Sequence, residues 1–295
     1  MGSWKQNDPT LHERWLNKYR DLWEPTPRMR GIQDVAICAI GRNENRYAVE
    51  WVEHYKKLGV KKIFIYDNSH DGDEQPYKVL NDYTKTDAVE IIDYTNQGGS
   101  FNVQDKAYME CYQAHRGEYA WIGFIDIDER IVIQGRQKLP TILYKLQADV
   151  VVLSWRMMTD NGLVHYDDRP VQERFTQPAE DLKPESQFVK SFVRGGIVGL
   201  KFHMQPHVPH SPQLKCVNAK GKVLQKPFTE YDPSVMVLDH YTTKTAEEFV
   251  EKVKRGFPLM EPYNTTYRKH AVEYFFAINE RTEEKEKILA EGGLL

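Results

Sequence analysis

Runs of apolar residues alternate with amphipathic stretches through the first third of the chain, and this alternation predicts its secondary structure. Buried strands are expected at 34–40, 61–66 and 89–94, because each is a short apolar run bounded by polar turn residues. Between the first two strands, apolar positions recur at helical spacing over 47–58, and Gly59 suits the end of that helix. Strands that alternate with helices in this way are typical of a parallel α/β sheet.

Shorter elements follow the same rhythm further along the chain. We expect helices at 75–84, from Val103 onward and at 140–146, and strands at 150–155, 188–194 and 235–238. Thr245 and Glu248 have the spacing of a capping box, which predicts a helix that runs to Gly256. The stretch 279–291 mixes acids with bases and is expected to form a solvated helix.

One apolar run, which begins at Trp121, ends abruptly in the acids Asp126, Asp128 and Glu129. If the chain stays extended there, Asp126 and Asp128 project to one side and Glu129 to the other, which leaves Glu129 a structural or supporting role. Ligands of open α/β sheets bind at the carboxyl ends of strands, and paired carboxylates suit a divalent cation that also holds phosphate oxygens. The alternative is that the acids end the strand merely because they are soluble.

Polar residues also follow the first two strands, at what would be the same edge of the sheet. These residues are Arg42, Asn43, Glu44, Asp67 and Asn68. Turn chemistry is the alternative to a binding role for Asn68, but turns do not require Arg42 or Glu44. Gln104 and Lys106, near the start of a helix, suit phosphate or nucleotide contact, although polar residues are common in first helical turns. The chain lacks the glycine motifs of dinucleotide-binding folds and P-loops.

The composition is that of a globular protein, and the length favours one elaborated domain over two. The chain has 295 residues, 40% of them hydrophobic, and a net charge of -3. It has no clustered basic face of the kind that binds nucleic acid. Neither a run long enough to span a membrane nor the apolar core of a signal peptide is visible, so we expect a cytoplasmic protein.

The first thirty residues predict a short amphipathic helix and a proline-containing linker. Leu11, Trp15, Tyr19 and Trp23 recur at roughly helical intervals after a capping-box sequence. The polar face mixes acids with bases, whereas interfacial helices usually carry a basic polar face, so docking on the protein body is favoured. Peripheral association with the inner face of a membrane is the alternative.

Cysteines and histidines supply two further sets of candidate residues. Cys38, Cys111 and Cys216 are odd in number and widely spaced, so neither a disulfide framework nor a zinc site is suggested, and we expect thiols in a reducing compartment. A second set lies at His203, His207 and His210. The prolines among these histidines preclude a regular helix, so a metal cluster and three independent histidines are both open interpretations.

Several ordered blocks of residues carry a family resemblance. They are Asn43-Glu44, Glu50-Trp51 with His54, Leu58-Gly59-Val60, Tyr66-Asp67-Asn68-Ser69, Phe124 to Glu129, Glu173-Arg174-Phe175, His240 to Lys244, Glu248-Phe249, Lys252 and Arg255-Gly256. Together they resemble family 2-like and family 92-like glycosyltransferases of the GT-A fold, over roughly 34–256. The chain departs from the pattern at Arg42, where lysine is frequent, and at 157–160, where a Phe-Gly-Ser segment is more usual; the second departure bears on acceptor choice.

The resemblance implies a GT-A domain at 31–256, preceded by the N-terminal helix and linker of 1–30 and followed by a helical extension at 257–295. Its sheet would be mixed and mainly parallel, with helices on its faces. It also implies an inverting transferase that moves a sugar from a nucleotide-sugar donor, UDP-linked by family likeness, to a saccharide acceptor in polysaccharide or glycoconjugate synthesis. The oligomeric state is left open.

A divalent cation, Mn²⁺ or Mg²⁺, is the cofactor that the resemblance implies. Held by Asp126 and Asp128, it would stabilise the charge that develops on a departing nucleoside diphosphate. We expect His240 to be the third ligand, because imidazole suits manganese and the family motif begins there. A core histidine satisfied by backbone is the alternative.

The same resemblance suggests roles for further residues. Lys244 and Arg255 would neutralise phosphate, unless they are simply surface charges, and Asp67 would meet the nucleoside. Inversion requires a base that takes the proton of the acceptor hydroxyl. Glu173 is the first candidate for this base and Asp160 the second, and a salt bridge from Glu173 to a neighbouring arginine is the alternative.

Two functions from other classes compete with glycosyl transfer. The acids would be structural in a non-catalytic carbohydrate-binding protein whose tyrosines and tryptophans stack on sugars. A DxD sequence also begins the haloacid-dehalogenase phosphohydrolases. Their motif usually lies near the start of the chain and is commonly followed by threonine or valine rather than by an acid such as Glu129, which disfavours that class.

Overall fold

A nine-stranded mixed sheet forms the centre of the computed structural model, which describes residues 34–70, 72–95, 103–179, 188–200, 209, 214–224, 231–256 and 265–295. The strands are β1 (Val35–Gly41), β2 (Lys62–Asp67), β3 (Val89–Asp93), β4 (Trp121–Phe124), β5 (Glu129–Ile133), β6 (Val150–Met157), β7 (Val189–Arg194), β8 (Cys216–Asn218) and β9 (Met236–His240). They lie in the order β3-β2-β1-β4-β7-β6-β9-β5, with β8 beside β6. The predicted N-terminal helix and the histidines His203, His207 and His210 lie outside the described residues.

Parallel pairs dominate the sheet, which confirms the predicted fold class. β1 pairs in parallel with β2 and β4, β2 with β3, and β6 with β8 and β9. The antiparallel pairs are β4–β7, β6–β7 and β5–β9. β1 is apolar along its length because helices cover both of its faces, as is usual for parallel strands in α/β proteins.

The described helices pack on both faces of the sheet and against one another. They are α1 (Asn45–Leu58), α2 (Tyr77–Lys85), α3 (Val103–His115), α4 (Leu139–Lys145), α5 (Val171–Arg174), α6 (Ala246–Arg255), α7 (Thr265–Ile278) and α8 (Glu283–Glu291). Trp51 and Tyr55 of α1 belong to one apolar core, and Tyr108 and Tyr112 of α3 to the other. Helical periodicity located α1, α2, α3 and α4 correctly, the capping box located α6, and a helix was also predicted where α8 lies.

Local signals end the helices where the sequence predicts. Gly59 follows α1 with φ +99°, a left-handed conformation that glycine adopts without steric cost. Thr245 and Glu248 form the expected capping box at the start of α6, each side chain bonding the other's backbone amide.

Two predicted elements need correction. The strand expected to run into the acids ends at Phe124, and a new strand, β5, begins at Glu129. The helix expected to be solvated, α8, buries Leu289 in an apolar cluster with Phe249 of α6 and Phe275 of α7. The charge pattern concealed this contact because only one face of α8 is apolar.

The cysteines also differ from the expectation of free thiols. Cys38 of β1 and Cys111 of α3 form a disulfide with a Cα–Cα distance of 6.4 Å. They are 73 residues apart in sequence, and only the packing of α3 on β1 brings them together. Cys216 is a free thiol. A disulfide is typical of oxidising compartments and counts against the predicted cytoplasmic location, which stays a prediction.

Within the part of the chain that the structure describes, no helix combines the length and the apolar character needed to cross a lipid bilayer.

Gly123 of β4 allows the sheet to pack tightly just before the acidic turn. A methyl group at this position would collide with the ring of Phe192, which lies opposite on β7. We expect Gly123→Ala to lower the free energy of unfolding by about 1–3 kcal/mol, because overpacking forces neighbouring groups out of place. Denaturant unfolding measures the loss. The matched control is Gly117→Ala, where a methyl group meets no atom within 4 Å, and an equal loss in both variants would contradict this packing account.

Candidate active site

The acids Asp126 and Asp128 lie in a tight turn between β4 and β5. The amide of Glu129 donates to the carbonyl of Asp126 over 3.1 Å, and the amide of Asp126 donates to Glu129 Oε2 over 2.8 Å. The simple alternation of an extended strand therefore does not govern where these side chains point. Glu129 is fully buried and ties the turn together, and burial raises the pKa of its carboxyl well above the ordinary value.

Among the described residues, Tyr108, Gln104 and Lys190 donate hydrogen bonds to the carboxylate of Asp126. Tyr108 Oη and Gln104 Nε2, both on α3, donate to Oδ1 over 2.6 and 2.8 Å. Lys190 Nζ, on β7, donates to Oδ2 over 2.7 Å and lies 3.9 Å from Glu129. Gln104 was predicted to touch a nucleotide, but in this structure it positions Asp126. Tyr108 and Lys190 were missed, because helical spacing marked the first as core and strand alternation marked the second as solvent-facing.

Asp128 carries a different set of partners. Lys252 Nζ, on α6, donates to Oδ2 over 2.8 Å, and His240 Nε2 lies 3.6 Å from Oδ1. Burial by itself would raise the pKa of Asp128, but the positive charge of Lys252 outweighs it, with a smaller contribution from the neighbouring imidazole of His240, and the pKa lies well below the ordinary value. Asp128 is therefore an anion at neutral pH.

His240 reaches Asp128 because β9 pairs with β5. Glu129 lies directly opposite His240 in the ladder, and the amide of Tyr241 donates to the carbonyl of Asp128 over 2.9 Å. The imidazole packs on the ring of Trp155 at a centroid distance of 4.3 Å. Burial lowers the pKa of His240, which favours the neutral imidazole that binds metals.

Asp128 and His240 fit two positions of a divalent cation site. Metal–oxygen and metal–nitrogen bonds of about 2.1 Å are compatible with a separation of 3.6 Å between the two ligand atoms. Asp126 does not join them in this arrangement, and among the described residues no three His, Cys, Asp or Glu side chains converge on one metal position. Phosphate oxygens and water commonly complete sites of this kind.

A cavity of about 320 Å³ lies beside Lys252, between the loops that follow β1 and β2 and the face of α6. Its walls are Asn43, Glu44, Arg46, Tyr47, Gly72, Asp73, Glu74, Lys244, Glu248, Glu251, Lys252 and Arg255. Four of the predicted site residues therefore line the same cavity, namely Asn43, Glu44, Lys244 and Arg255. Asp128, His240 and Lys252 form a group that we call the Asp128 cluster. Lys252 also lines the cavity, so the cluster and the cavity are adjacent.

Ion pairs hold most of the charged side chains of the cavity walls. Arg255 binds Glu44 and also donates over 2.8 Å to the carbonyls of Arg42 and Asn43. Arg42 binds Asp73 over 2.6 Å. The loops after β1 and β2 are thus fixed to each other and to α6.

A buried cluster around Glu248 supports the same wall. Arg174 of α5 binds both carboxylate oxygens of Glu248, over 2.8 and 3.1 Å, and Tyr47 Oη donates to Glu248 over 2.6 Å. Fork-to-fork pairs of this kind fix geometry as well as charge.

Lys244 differs from the other cations of the cavity. Its side chain lies over the ring of Tyr47, with Nζ 4.2 Å from the centroid, and no hydrogen bond or ion pair joins the amine to another described residue. Burial lowers the pKa of this amine to about 8. Its backbone has φ +53°, which is costly for a lysine and typical of functional positions.

Other predicted site residues lie away from the cavity walls. Asp67 accepts from the amide and hydroxyl of Ser69, and the Oδ1 atom of Asn68 is buried without a described hydrogen-bond partner. Lys106 lies 3.9 Å from Glu110, on a largely exposed part of α3.

The chain matches the family description "Glycosyltransferase family 92" over residues 33–274. The chain belongs to glycosyltransferase family 92. Similar curated proteins are a family 92 glycosyltransferase protein of Oryza sativa subsp. japonica, 29% identical over 135 residues, and one of Ricinus communis, 30% identical over 123 residues. Each match covers 41% of this chain but only 20% and 21% of the relative, so the matched segment is about a fifth of either protein's length.

A solved structure with a similar course of the chain is that of S. aureus TarS residues 1–349 in complex with UDP-GlcNAc. It has 12% sequence identity and a TM-score of 0.41, and the match covers 88% of this chain and 79% of that chain.

Glu173 and Asp160, the two residues predicted as the catalytic base, have contrasting surroundings. Glu173 lies on the exposed face of α5, next to the buried Arg174. Asp160 is buried, and its Oδ2 atom lies 2.6 Å from Nζ of the buried Lys285 on α8. The amide of Asp160 also donates to Asn279 Oδ1 over 2.7 Å, so the C-terminal segment that contains Asn279 and Lys285 covers the turn after β6 and explains this burial.

The buried amine of Lys244 should make the stability of this family 92 chain depend on pH. Its folded-state pKa of about 8 lies below the ordinary 10.5, so the buried charged amine lowers the free energy of unfolding below pH 8. This loss of stability diminishes as the pH rises from 8 towards 10.5, because the amine of the folded protein becomes neutral first. We expect Lys244→Met to be more stable than the parent at pH 7, by about 3 kcal/mol at most, with the gap narrowing between pH 8 and 10. Urea unfolding from pH 7 to 10 measures it.

The control for this prediction is Lys254→Met, since Lys254 lies on the exposed face of α6. This variant should follow the parent at every pH. A gap between Lys244→Met and the parent that stays constant or widens as the pH rises would contradict the assignment.

Proposed function

We propose that this chain is an inverting glycosyltransferase that uses a UDP-linked sugar and a divalent cation, Mn²⁺ or Mg²⁺. The observation that carries the proposal is the facing pair of Asp128 and His240, placed next to a cavity whose wall presents the Lys244 amine. A carboxylate, an imidazole and an ammonium group in one place suit a metal–diphosphate unit. The family relationship supports a transfer of sugar from a nucleotide donor.

Each group has a distinct part in the proposed reaction. When bound, the cation would act as a Lewis acid on the diphosphate. Asp128 and His240 would hold it, and Lys244 would lie against the negative charge that grows as the bond between the sugar and the diphosphate breaks. Asp126 would keep the turn rigid, because Tyr108, Gln104 and Lys190 already hold its carboxylate.

Inversion would proceed by one displacement at the anomeric carbon. The acceptor hydroxyl forms the new bond as the bond to the diphosphate breaks, and a base removes the hydroxyl proton. We assign this base to Glu173 rather than to Asp160. Glu173 is solvent-exposed, whereas the carboxylate of Asp160 is buried in an ion pair with Lys285.

A nucleotide-binding measurement tests the donor and the cation together. UDP with Mn²⁺ should raise the melting temperature more than UDP alone, and more than GDP or CMP, because a ligand of the native state stabilises it, by about 2.7 kcal/mol at a hundred times its Kd. Asp128→Asn should abolish the Mn²⁺-dependent part of the shift. Asp82→Asn on α2, a largely exposed aspartate, is the matched control.

Two outcomes of that measurement would contradict the proposal. If no nucleotide shifts the melting temperature and the protein hydrolyses phosphate esters, the phosphohydrolase interpretation replaces it. If saccharides stabilise the protein while nucleotides do not, the carbohydrate-binding interpretation does.

The base assignment makes a separate kinetic prediction. Glu173→Gln should reduce kcat for transfer by about a hundredfold or more, while binding of UDP with Mn²⁺ stays close to the parent value, because a base contributes to the transition state only. Steady-state assays and the melting shift provide the two readouts. Asp168→Asn, in the preceding loop, serves as the control, and full activity of Glu173→Gln would remove Glu173 from the mechanism.

A further inference from the structure

Lys252 connects the Asp128 cluster to the cavity. Its Nζ atom donates to Asp128 Oδ2 over 2.8 Å, to the carbonyl of Thr242 over 2.9 Å and to Thr242 Oγ1 over 3.3 Å. The side chain is 13% exposed and forms part of the cavity wall. The ammonium group therefore has Asp128 on one side and the cavity on the other.

A second lysine, Lys190 of β7, binds the acidic turn but lies in different surroundings. It binds Asp126 over 2.7 Å, but its side chain has no exposure and is not part of the cavity wall. Lys190 neutralises a carboxylate in the interior, which is a structural role. Lys252 neutralises the carboxylate that faces His240, at a place that a ligand in the cavity can reach.

The positive charge of Lys252 disfavours the binding of a metal cation to Asp128. Asp128 presents Oδ1 to His240 and Oδ2 to Lys252, so a divalent cation held by Asp128 and His240 would share one carboxylate with an ammonium group. Like charges repel strongly at such separations in a partly buried site. An anion in the cavity would offset this repulsion, because both Lys252 and Lys244 form part of its wall.

We propose that Lys252 makes the binding of a divalent cation at Asp128 and His240 depend on a diphosphate in the cavity. Lys252 is thus a positioning residue, which weakens cation binding to the empty site and draws the anion into the cavity. The proposal rests on the proposed function for the nature of that anion. Because coupling between two ligands is reciprocal, the cation and the diphosphate should strengthen each other's binding by the same factor.

Calorimetric titration of Mn²⁺, with and without saturating UDP, measures this coupling directly. In the parent protein we expect UDP to strengthen Mn²⁺ binding by at least about tenfold. In Lys252→Gln, which keeps a hydrogen-bond donor but loses the charge, Mn²⁺ should bind the UDP-free protein about tenfold more tightly than in the parent, and the coupling factor should fall accordingly. Lys252→Arg restores the charge and should restore the coupling.

Lys254→Gln is the matched control, because Lys254 lies on the exposed face of the same helix and should leave both affinities unchanged. A coupling factor in Lys252→Gln equal to that of the parent would overturn the role of Lys252 while leaving the proposed function intact. A parent protein that binds neither UDP nor Mn²⁺ would overturn the proposed function as well. Should Lys252→Gln fail to fold, the parent alone decides, since a coupling below tenfold contradicts the proposal.

Discussion

The pairing of β5 with β9 is the contact on which the site depends. It sets Glu129 opposite His240 and lets the amide of Tyr241 bond the carbonyl of Asp128, so backbone hydrogen bonds fix the distance between Asp128 and His240. The cluster is consequently set by the sheet rather than by a flexible loop, although its residues come from opposite ends of the domain.

Charge compensation organises the space around that pair. Asp126 has Lys190, Asp128 has Lys252, Glu44 has Arg255 and Glu248 has Arg174. Buried charges need such partners, since an unpaired ion loses several kcal/mol of hydration. Lys244 differs from these residues, because its buried amine lies over the ring of Tyr47 and its backbone has a positive φ. The amine therefore marks the side of the cavity that can accept an added anion.

Helix α3 connects the acidic turn to the centre of the sheet. Gln104, Tyr108 and Cys111 lie on one helical face: the first two hold Asp126, and the third is joined to Cys38 of β1 by the disulfide. The disulfide therefore restrains the same helix that positions Asp126. A covalent link and a hydrogen-bond network act on one element from two sides.

Hydrophobic periodicity and capping signals determined the α/β class, five of the helices and most of the strands, because those features are local. The ordered motifs also identified Asp128, His240 and Lys244 as residues of interest. Local patterns contained no information on the turn at Asp126, the Cys38–Cys111 disulfide or the burial of Asp160 by Lys285. The disulfide and the burial of Asp160 depend on elements far apart in sequence that meet only when the sheet assembles. The turn is closed by hydrogen bonds between Asp126 and Glu129, and the continuous apolar run before it concealed the break between two strands. The tertiary structure alone therefore decided which charges are paired, and with them which residues face the cavity.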